Sequence, residues 1–377
     1  MDKQAVQSIK EYFGTHKEEL VSDFLEFVQA ESPSNNKEYA NRCLDVLCGI
    51  VEKRLGVKAT RYPQEQYGDH ALFTVGNGSR KILLIGHYDT VWEIGAKETK
   101  YENDIVTGSG CFDMKYGIIS SIWSLKAIFD LGLPFDKTVH LFYNSDEEVG
   151  SPTSMPIALA NPKDYEAAVI LEPSHHGGIK TERKGVGMFD INIKGIASHS
   201  GSDPEKGISA IEEAARITLY LHSLTNYESG TTLNVGILNG GTRRNVVAAE
   251  CSLSVDLRVR TSEEGERIIN EIMAIKPSKE GLVVEITGGL NRPPFEKTPA
   301  NMELYGKLEK IAETMDIKVF EISVGGGSDG NFTSHAGIPT IDGMGAVGDG
   351  GHALSEHVIV SKSIERTMLL TGFWSAY

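Results

Sequence analysis

Three short apolar segments limit most strongly what this chain can fold into. They are Lys81–Gly86, Thr138–Tyr143 and Glu166–Leu171. Each is nearly continuous in apolar residues and partly β-branched, as is typical of strands buried on both faces of a sheet. Helical patterns lie between them, for example at Ile118–Leu131. Because strands alternate with helices, the sequence predicts an α/β domain with a mixed, largely parallel sheet sandwiched by helices.

A different pattern occupies residues 184–291. Four predicted strands lie there, at Met188–Lys194, Thr232–Leu238, Cys251–Val259 and Leu282–Thr287. Asp203-Pro204 predicts the start of a helix that ends near residue 222, and Thr261-Ser262-Glu263-Glu264 predicts a second helix that ends near residue 275. The order β-α-β-β-α-β is that of a ferredoxin-like α+β unit. We therefore expect residues 184–291 to form a small domain inserted into a larger one, which comprises residues 1–183 and 292–377.

Composition and charge exclude several classes of partner. The chain has 377 residues, which is long for one core and agrees with two domains. Its net charge of −15 argues against binding to nucleic acid or to an anionic membrane, since both require a basic face. No N-terminal segment is typical of a signal peptide, and no apolar segment approaches the length of a membrane span. The four cysteines are few for this length, so we expect a reducing, cytoplasmic location.

Histidine and carboxylate side chains follow the predicted strands of the larger domain. His87 and Asp89 follow the first strand, Asp146-Glu147-Glu148 lies just beyond the second, and Glu172 follows the third. Asp113 stands just before a predicted helix. Each group alone fits a solvated turn or a surface carboxylate. Ligands bind at the carboxyl ends of the strands in an open α/β sheet, so the shared position of these groups indicates one site.

The chemistry of these side chains predicts metal binding. Clustered carboxylates are costly unless a cation neutralises them. Two divalent metals would do so, and imidazole with carboxylate ligands suits Zn²⁺, with Co²⁺ or Mn²⁺ as possible substitutes. We expect the Asp89 carboxylate to accept the second ring N–H of His87 and so to fix the tautomer of a ligand.

Three further residues have two interpretations each from the sequence. His352, in a glycine-rich loop, is either a solvated histidine or a residue brought close to a site. His199, beyond the first strand of the inserted domain, is either a helix-proximal cap or a functional group. Arg258 lies on the polar face of a strand, where it is either solvated or able to bind a substrate carboxylate with its planar guanidinium.

Seven motifs occur in the order found in a known family: Gly86–Val91, Gly108–Lys115, Asp146–Gly150, Leu171–Pro173, Ala197–Gly201, Gly240–Val247 and His352–Val358. Together they span nearly the whole chain. On these motifs the chain resembles the co-catalytic zinc hydrolases that include glutamate carboxypeptidase, aminoacylase, di- and tripeptidases, acetylornithine deacetylase and succinyl-diaminopimelate desuccinylase. The pattern is most similar to that of glutamate carboxypeptidase.

The resemblance implies a role for each candidate residue. In a centre of two zinc ions, Asp113 would bridge both metals, His87 and Glu172 would complete one site, and Glu148 and His352 would complete the other. Glu147 would be the general base, and Asp89 would orient His87. His199 would polarise the scissile carbonyl from the neighbouring subunit of a homodimer, and Asn245 and Arg258 would bind the substrate's terminal carboxylate. The inserted domain would act as a lid and a dimerisation domain.

The implied activity is metal-dependent hydrolysis of an amide next to a free carboxylate. A carboxypeptidase-like exopeptidase acting on small peptides is the first interpretation. An N-acyl amino acid deacylase needs the same metals, base and carboxylate-binding residues, and the sequence does not separate the two. A binding protein that has kept the fold and lost catalysis is a third interpretation, although the retention of Glu147 argues against it.

Overall fold

The computed structural model describes residues Met1–Tyr377, which divide into two compact units. Unit 1 consists of residues 1–182, 297–323 and 328–377, and unit 2 of residues 183–296 and 324–327. The predicted boundaries were 183/184 and 291/292. The difference at the second boundary has a local cause, because Phe295 still exchanges backbone hydrogen bonds with Arg183 of the same unit.

The helices and strands are labelled in chain order. The helices are α1 (Lys3–Gln29), α2 (Lys37–Leu55), α3 (Tyr116–Asp130), α4 (Met155–Ala158), α5 (Ala210–Ser223), α6 (Ser262–Met273), α7 (Pro299–Met315), α8 (Asp329–His335) and α9 (Val360–Ala376). The strands are β1 (Thr60–Tyr62), β2 (His70–Val75), β3 (Arg80–His87), β4 (Lys100–Glu102), β5 (Ile105–Thr107), β6 (Lys137–Asn144), β7 (Ala167–Ile170), β8 (Ile179–Arg183), β9 (Gly185–Lys194), β10 (Thr232–Gly240), β11 (Glu250–Val259), β12 (Val283–Arg292), β13 (Glu321–Val324), β14 (Thr340–Ile341), β15 (Gly348–Asp349) and β16 (His357–Ile359).

The central sheet of unit 1 has the strand order β1-β2-β6-β3-β7-β14. Strands β6, β3, β7 and β14 are parallel, and β2 joins β6 in antiparallel fashion. Both faces are buried, because Ile82 and Leu84 of β3 pack into one apolar core while Leu83 and Ile85 pack into another. Continuous apolar strands are the expected sequence for such a sheet. The predicted α/β fold class is confirmed.

Unit 2 has a four-stranded antiparallel sheet of order β10-β11-β9-β12. Helices α5 and α6 contribute Ile217, Leu221, Ile268 and Ile272 to the apolar core on one face of this sheet. This confirms the ferredoxin-like prediction. Cys251–Val259 alternates between buried and partly exposed residues, as a strand covered on one face should.

The predicted start of helix α5 was wrong. Asp203-Pro204 opens only a short 3₁₀ turn, Pro204–Lys206. The backbone then becomes extended, and Ile208 pairs with Ile196 before the helix begins. The actual N-cap is Ser209, whose hydroxyl accepts the N–H of Glu212.

No helix combines the length and the apolar composition that crossing a bilayer requires.

Candidate metal centre

The predicted ligands that follow strands of unit 1 meet at one edge of its sheet. His87 is the last residue of β3, and in the parallel register it lies beside Asn144, the last residue of β6. Glu172 follows β7, whose Ile170 pairs with Ile85 of β3. Because these strands are parallel, their carboxyl ends lie side by side, where ligands bind in this class of fold.

His87 is the centre of the first group of side chains. Its Nε2 atom lies 3.1 Å from Oδ1 of Asp113, 3.6 Å from Oε1 of Glu172 and 3.9 Å from Oε2 of Glu147. The His87 side chain is 1% exposed, and Glu147 and Glu172 are also buried. An imidazole nitrogen and three carboxylates therefore face one small volume.

His352 completes a second group on the other side of Asp113. Nε2 of His352 lies 3.1 Å from Oε2 of Glu148 and 3.5 Å from Oδ2 of Asp113. Asp113 thus presents one oxygen to His87 and the other to His352. The backbone of His352 is left-handed (φ 61°), and Gly350 before it also has positive φ (81°), where a side chain would overlap the backbone of Glu356. The glycine-rich loop is therefore required to present His352.

The donor atoms fit divalent metal ions. Two sets of side chains, His87–Glu147–Glu172 and His87–Asp113–Glu148, each bring their ligand atoms within 4.8 Å of one another. Imidazole and carboxylate donors without a thiolate suit Zn²⁺, Co²⁺ or Mn²⁺. Glu147 is a member of the first set, so distances alone do not distinguish its predicted role as general base from that of a metal ligand.

The pKa values show how strongly these groups interact. Burial opposes ionisation of Asp113, but hydrogen bonds from His352 and His87 outweigh it and lower the pKa of Asp113. Burial, opposed by the hydrogen bond with His352 and assisted by the charge of Asp113, raises the pKa of Glu148 to about 7. Hydrogen bonds to Asp113 and Glu148 raise the pKa of His352 to about 11. Glu148 and His352 thus retain protons more readily beside the other carboxylates. A bound cation would stabilise this crowded negative charge in place of the protons.

Asp89 contacts the His87 ring through its backbone carbonyl as well as through its carboxylate. Nδ1 of His87 lies 3.0 Å from the backbone carbonyl of Asp89 and 3.4 Å from its Oδ1. The carboxylate also accepts from the hydroxyl of Ser34 (2.7 Å) and from the N–H groups of Glu147 and Glu148 (3.3 Å each). Asp89 therefore fixes both His87 and the turn that carries the two glutamates.

His199 and Asn245 lie on adjacent loops of unit 2. His199 forms a β-bridge with Val246, next to Asn245. Nδ1 of His199 accepts the N–H groups of Gly201 (3.2 Å) and Ser202 (3.1 Å). A neutral ring that accepts at Nδ1 carries its proton on Nε2. The exposed His199 therefore presents an N–H donor, which is what polarising a carbonyl oxygen requires.

Arg258 of unit 2 has a partner that the sequence analysis did not assign. Its Nε and Nη2 atoms each lie 2.9 Å from a carboxylate oxygen of Asp256, two residues earlier on the same polar face of β11. The Arg258 side chain is 31% exposed. A substrate carboxylate would have to compete with Asp256 for this guanidinium.

Two residues near the centre were missed or given no role by sequence reasoning. Ser34 reaches Asp89 from 55 positions away, and Glu356 reaches the N–H of Asp113 from 243 positions away. Glu356 lies in the His352–Val358 motif, but nothing in its local sequence pattern indicates what its carboxylate binds. Both contacts depend on tertiary structure.

Comparisons with known proteins agree with this architecture. A family model described as a peptidase dimerisation domain matches residues 181–279. Carboxypeptidase G2 from Pseudomonas sp. (strain RS-16) is 27% identical over 336 residues, which cover 85% of this chain and 80% of that protein. A LysW-lysine/LysW-ornithine hydrolase from Saccharolobus solfataricus is 26% identical over 322 residues, covering 85% and 84%.

Solved structures share the fold over almost the entire chain. Aminopeptidase PepT from Bacillus cereus superposes with a TM-score of 0.82 at 22% identity, covering 95% of this chain and 98% of that one. An M20 family metallo-carboxypeptidase from Sulfolobus solfataricus gives 0.77 at 17% identity, covering 95% and 99%. At these identities the structural likeness establishes the fold, and function has to be argued from the residues.

Proposed function

Since this chain belongs to the M20 peptidase family of metal-dependent hydrolases, we propose that it is a carboxypeptidase-like exopeptidase that hydrolyses the amide bond next to a free carboxylate of a small peptide. The observation that carries the proposal is the convergence of two histidines and four carboxylates at the strand ends of unit 1. Carboxypeptidase G2 is one of the relatives that match over most of both chains.

The proposed centre holds two divalent metals, most suitably Zn²⁺. Asp113 would bridge them, since its two oxygens face different histidines. His87 and Glu172 would complete one site, and Glu148 and His352 the other. When bound, such a pair of cations lowers the pKa of a water molecule and polarises the scissile carbonyl.

The side chains of the protein then have separate tasks. Glu147, held by its N–H on Asp89, takes the proton of the attacking water and returns it to the leaving amine. The Nε2–H of His199 donates to the oxygen that becomes negative. Asn245 and Arg258 bind the carboxylate at the end of the substrate, and the planar guanidinium of Arg258 is suited to that geometry.

An N-acyl amino acid deacylase is the second candidate function. It is supported by the match to a relative that is named as a LysW-lysine/LysW-ornithine hydrolase and not as a peptidase. A panel of dipeptides, N-acetyl and N-succinyl amino acids and C-terminally amidated dipeptides, assayed with and without a chelator, tests both. Hydrolysis of dipeptides but not of their amides supports the exopeptidase. Preference for acyl amino acids favours the deacylase, and no metal-dependent turnover of any of them favours a catalytically silent binding protein.

Arg258 provides a prediction on substrate recognition. We expect Arg258→Met to raise KM for substrates with a free carboxylate by about 10- to 100-fold, because hydrogen bonds to charged groups contribute roughly 1.5–3 kcal/mol. Asp256→Asn should lower KM, because it removes the competing carboxylate. Steady-state kinetics measure both changes. Arg267→Met is the matched control, since Arg267 is also paired with a carboxylate in unit 2; an Arg258→Met enzyme with the KM of this control would contradict the assignment.

The proposed assembly is a homodimer formed through unit 2. The matched model is a dimerisation domain. Strand β10 is at an edge of its sheet and exposes Ile237 and Leu238, while Leu219 of the neighbouring helix α5 is 74% exposed. Unprotected edge strands and apolar patches favour association, and a two-fold interface is the commonest closed arrangement.

In this dimer we predict that His199 acts on the substrate of the other subunit. Separately, His199→Ala and Glu147→Gln should each be nearly inactive. After subunit exchange at equal amounts, roughly half the dimers are mixed and each has one complete site, so about a quarter of the wild-type activity should return. Light scattering and a tag-exchange assay establish dimerisation and mixing. Absence of recovery despite proven exchange would mean that His199 serves its own chain or has no catalytic role.

We also propose a cytoplasmic location. All four cysteines are free, as is usual in a reducing compartment. Recovery of the native protein from an extracellular or periplasmic fraction would contradict this.

A further inference from the structure

Glu356 is a fully buried carboxylate beside the candidate centre that belongs to neither set of proposed ligands. Its Oε1 atom accepts the N–H groups of Phe112 (3.0 Å) and Asp113 (3.2 Å). Its Oε2 atom accepts the indole N–H of Trp92 (2.8 Å) and the N–H of Gly110 (3.3 Å). The carboxylate therefore holds the turn that presents Asp113 by three backbone groups.

A buried lysine joins the same group. Nζ of Lys97 lies 3.4 Å from Oε2 of Glu356 and donates to the carbonyl of Ala353 at 3.2 Å. The Lys97 side chain is only 5% exposed, and the Glu356 side chain is 0% exposed. The two opposite charges compensate each other in a place where either alone would be costly. We refer to Glu356, Trp92, Lys97 and the N–H groups of residues 110, 112 and 113 as the Glu356 clasp.

The Glu356 clasp also determines where His352 lies. Glu356 ends the short loop that carries His352, and this loop is closed by hydrogen bonds from Glu356 N–H to Ala353 and from Ala353 N–H to Gly350. The side chain of Glu356 thus ties the His352 loop directly to the Asp113 turn. The 3.5 Å separation between Asp113 Oδ2 and His352 Nε2 spans these two segments.

We propose that Glu356 is a positioning residue that sets the geometry and affinity of the metal site formed by Asp113, Glu148 and His352. A carboxylate offers only acceptors, and every group around Glu356 is a donor. Glutamine has nearly the same shape but would turn an NH₂ group toward one of these donors. Residues that orient metal ligands typically change metal affinity by about 10- to 100-fold when they are replaced. The inference rests on the proposed metal-dependent function.

The test is a Co²⁺ titration of Glu356→Gln, followed by visible absorption and by competition with a chromophoric chelator. We expect two equivalents in the wild type. In the variant, one equivalent should bind about 10- to 100-fold more weakly and show an altered d–d band, while the other keeps its affinity. Glu213→Gln is the control, because Glu213 is a carboxylate 2% exposed that accepts from Arg216 and Ser278 in unit 2. This control should titrate like the wild type.

A structural role alone would lower the unfolding temperature of the metal-free protein without altering the Co²⁺ spectrum or either affinity, and that result would overturn the inference. If Glu356→Gln does not fold, Trp92→Phe decides, since it removes one donor of the clasp and keeps the aromatic ring. A weakening of the same equivalent, together with a shifted band, supports the inference, and an unchanged titration refutes it. A wild-type protein that binds no Co²⁺ would instead refute the proposed metal-dependent function.

Discussion

Glu147→Gln is expected to lose more than about 10²-fold in kcat while still binding two equivalents of metal, as is usual when a general base is removed. The structure makes this a demanding test, because Glu147 is close enough to the proposed ligands to bind a metal itself. Its Oε2 atom lies 3.9 Å from Nε2 of His87, and Glu147 and Glu172 have carboxylate oxygens within 4.8 Å of each other. Glutamine preserves the shape of the side chain but cannot take a proton from water. Single-turnover kinetics and elemental analysis of the same preparation give the two quantities.

Glu148→Gln is the matched control, because it changes the adjacent residue in the same turn and removes a proposed ligand. We expect this variant to bind fewer than two equivalents of metal. If Glu147→Gln loses metal as readily as Glu148→Gln, the roles of the two glutamates have been assigned in the wrong order.

Asp113→Ala is expected to remove both metals, whereas His87→Ala should chiefly weaken one. Asp113 presents a different oxygen to each histidine, with Oδ1 3.1 Å from His87 and Oδ2 3.5 Å from His352. Without a shared carboxylate, two cations about 3.5–4 Å apart would repel each other with nothing between them. Metal content after gel filtration decides the matter, and an Asp113→Ala protein that keeps two metals would refute the bridging role.

Much of the fold was predictable because it depends on local pattern. The strands of the central sheet are largely apolar since both of their faces are covered. Helix α6 begins at Ser262 because the hydroxyl of its N-cap, Thr261, accepts the N–H of Glu264. Helix α5 was placed wrongly because Asp203-Pro204 has the sequence of a helix start. The pairing of Ile208 with Ile196, which delays the helix, is a contact that local sequence does not contain.

Helix α9 received no prediction, and its surroundings explain why. Residues on all its sides are buried, from Ile364 and Leu369 to Thr371 and Trp374, so that no amphipathic period is visible. Its hydroxyl groups are satisfied inside the protein, as when Thr371 donates to the carbonyl of Thr367.

The site was predictable to different degrees. His87 and Glu172 follow from the rule that ligands lie at the ends of parallel strands. His352 was open to two interpretations until the family pattern was considered, because a glycine-rich loop does not by itself indicate what it approaches. Ser34 and the Asp256–Arg258 pair were missed, since the first acts across 55 residues and the second depends on which rotamer Arg258 adopts.

The division of the chain into two units has a consequence for how such proteins diversify. Every proposed metal ligand and Glu147 fall outside residues 183–296, while His199, Asn245 and Arg258 fall within them. Under the proposed roles, mutations at and around Asn245 and Arg258 can therefore change which molecules are bound while the metal ligands and Glu147 stay the same. Related hydrolases could therefore come to differ in substrate through changes confined to this interval, with the same metal centre retained.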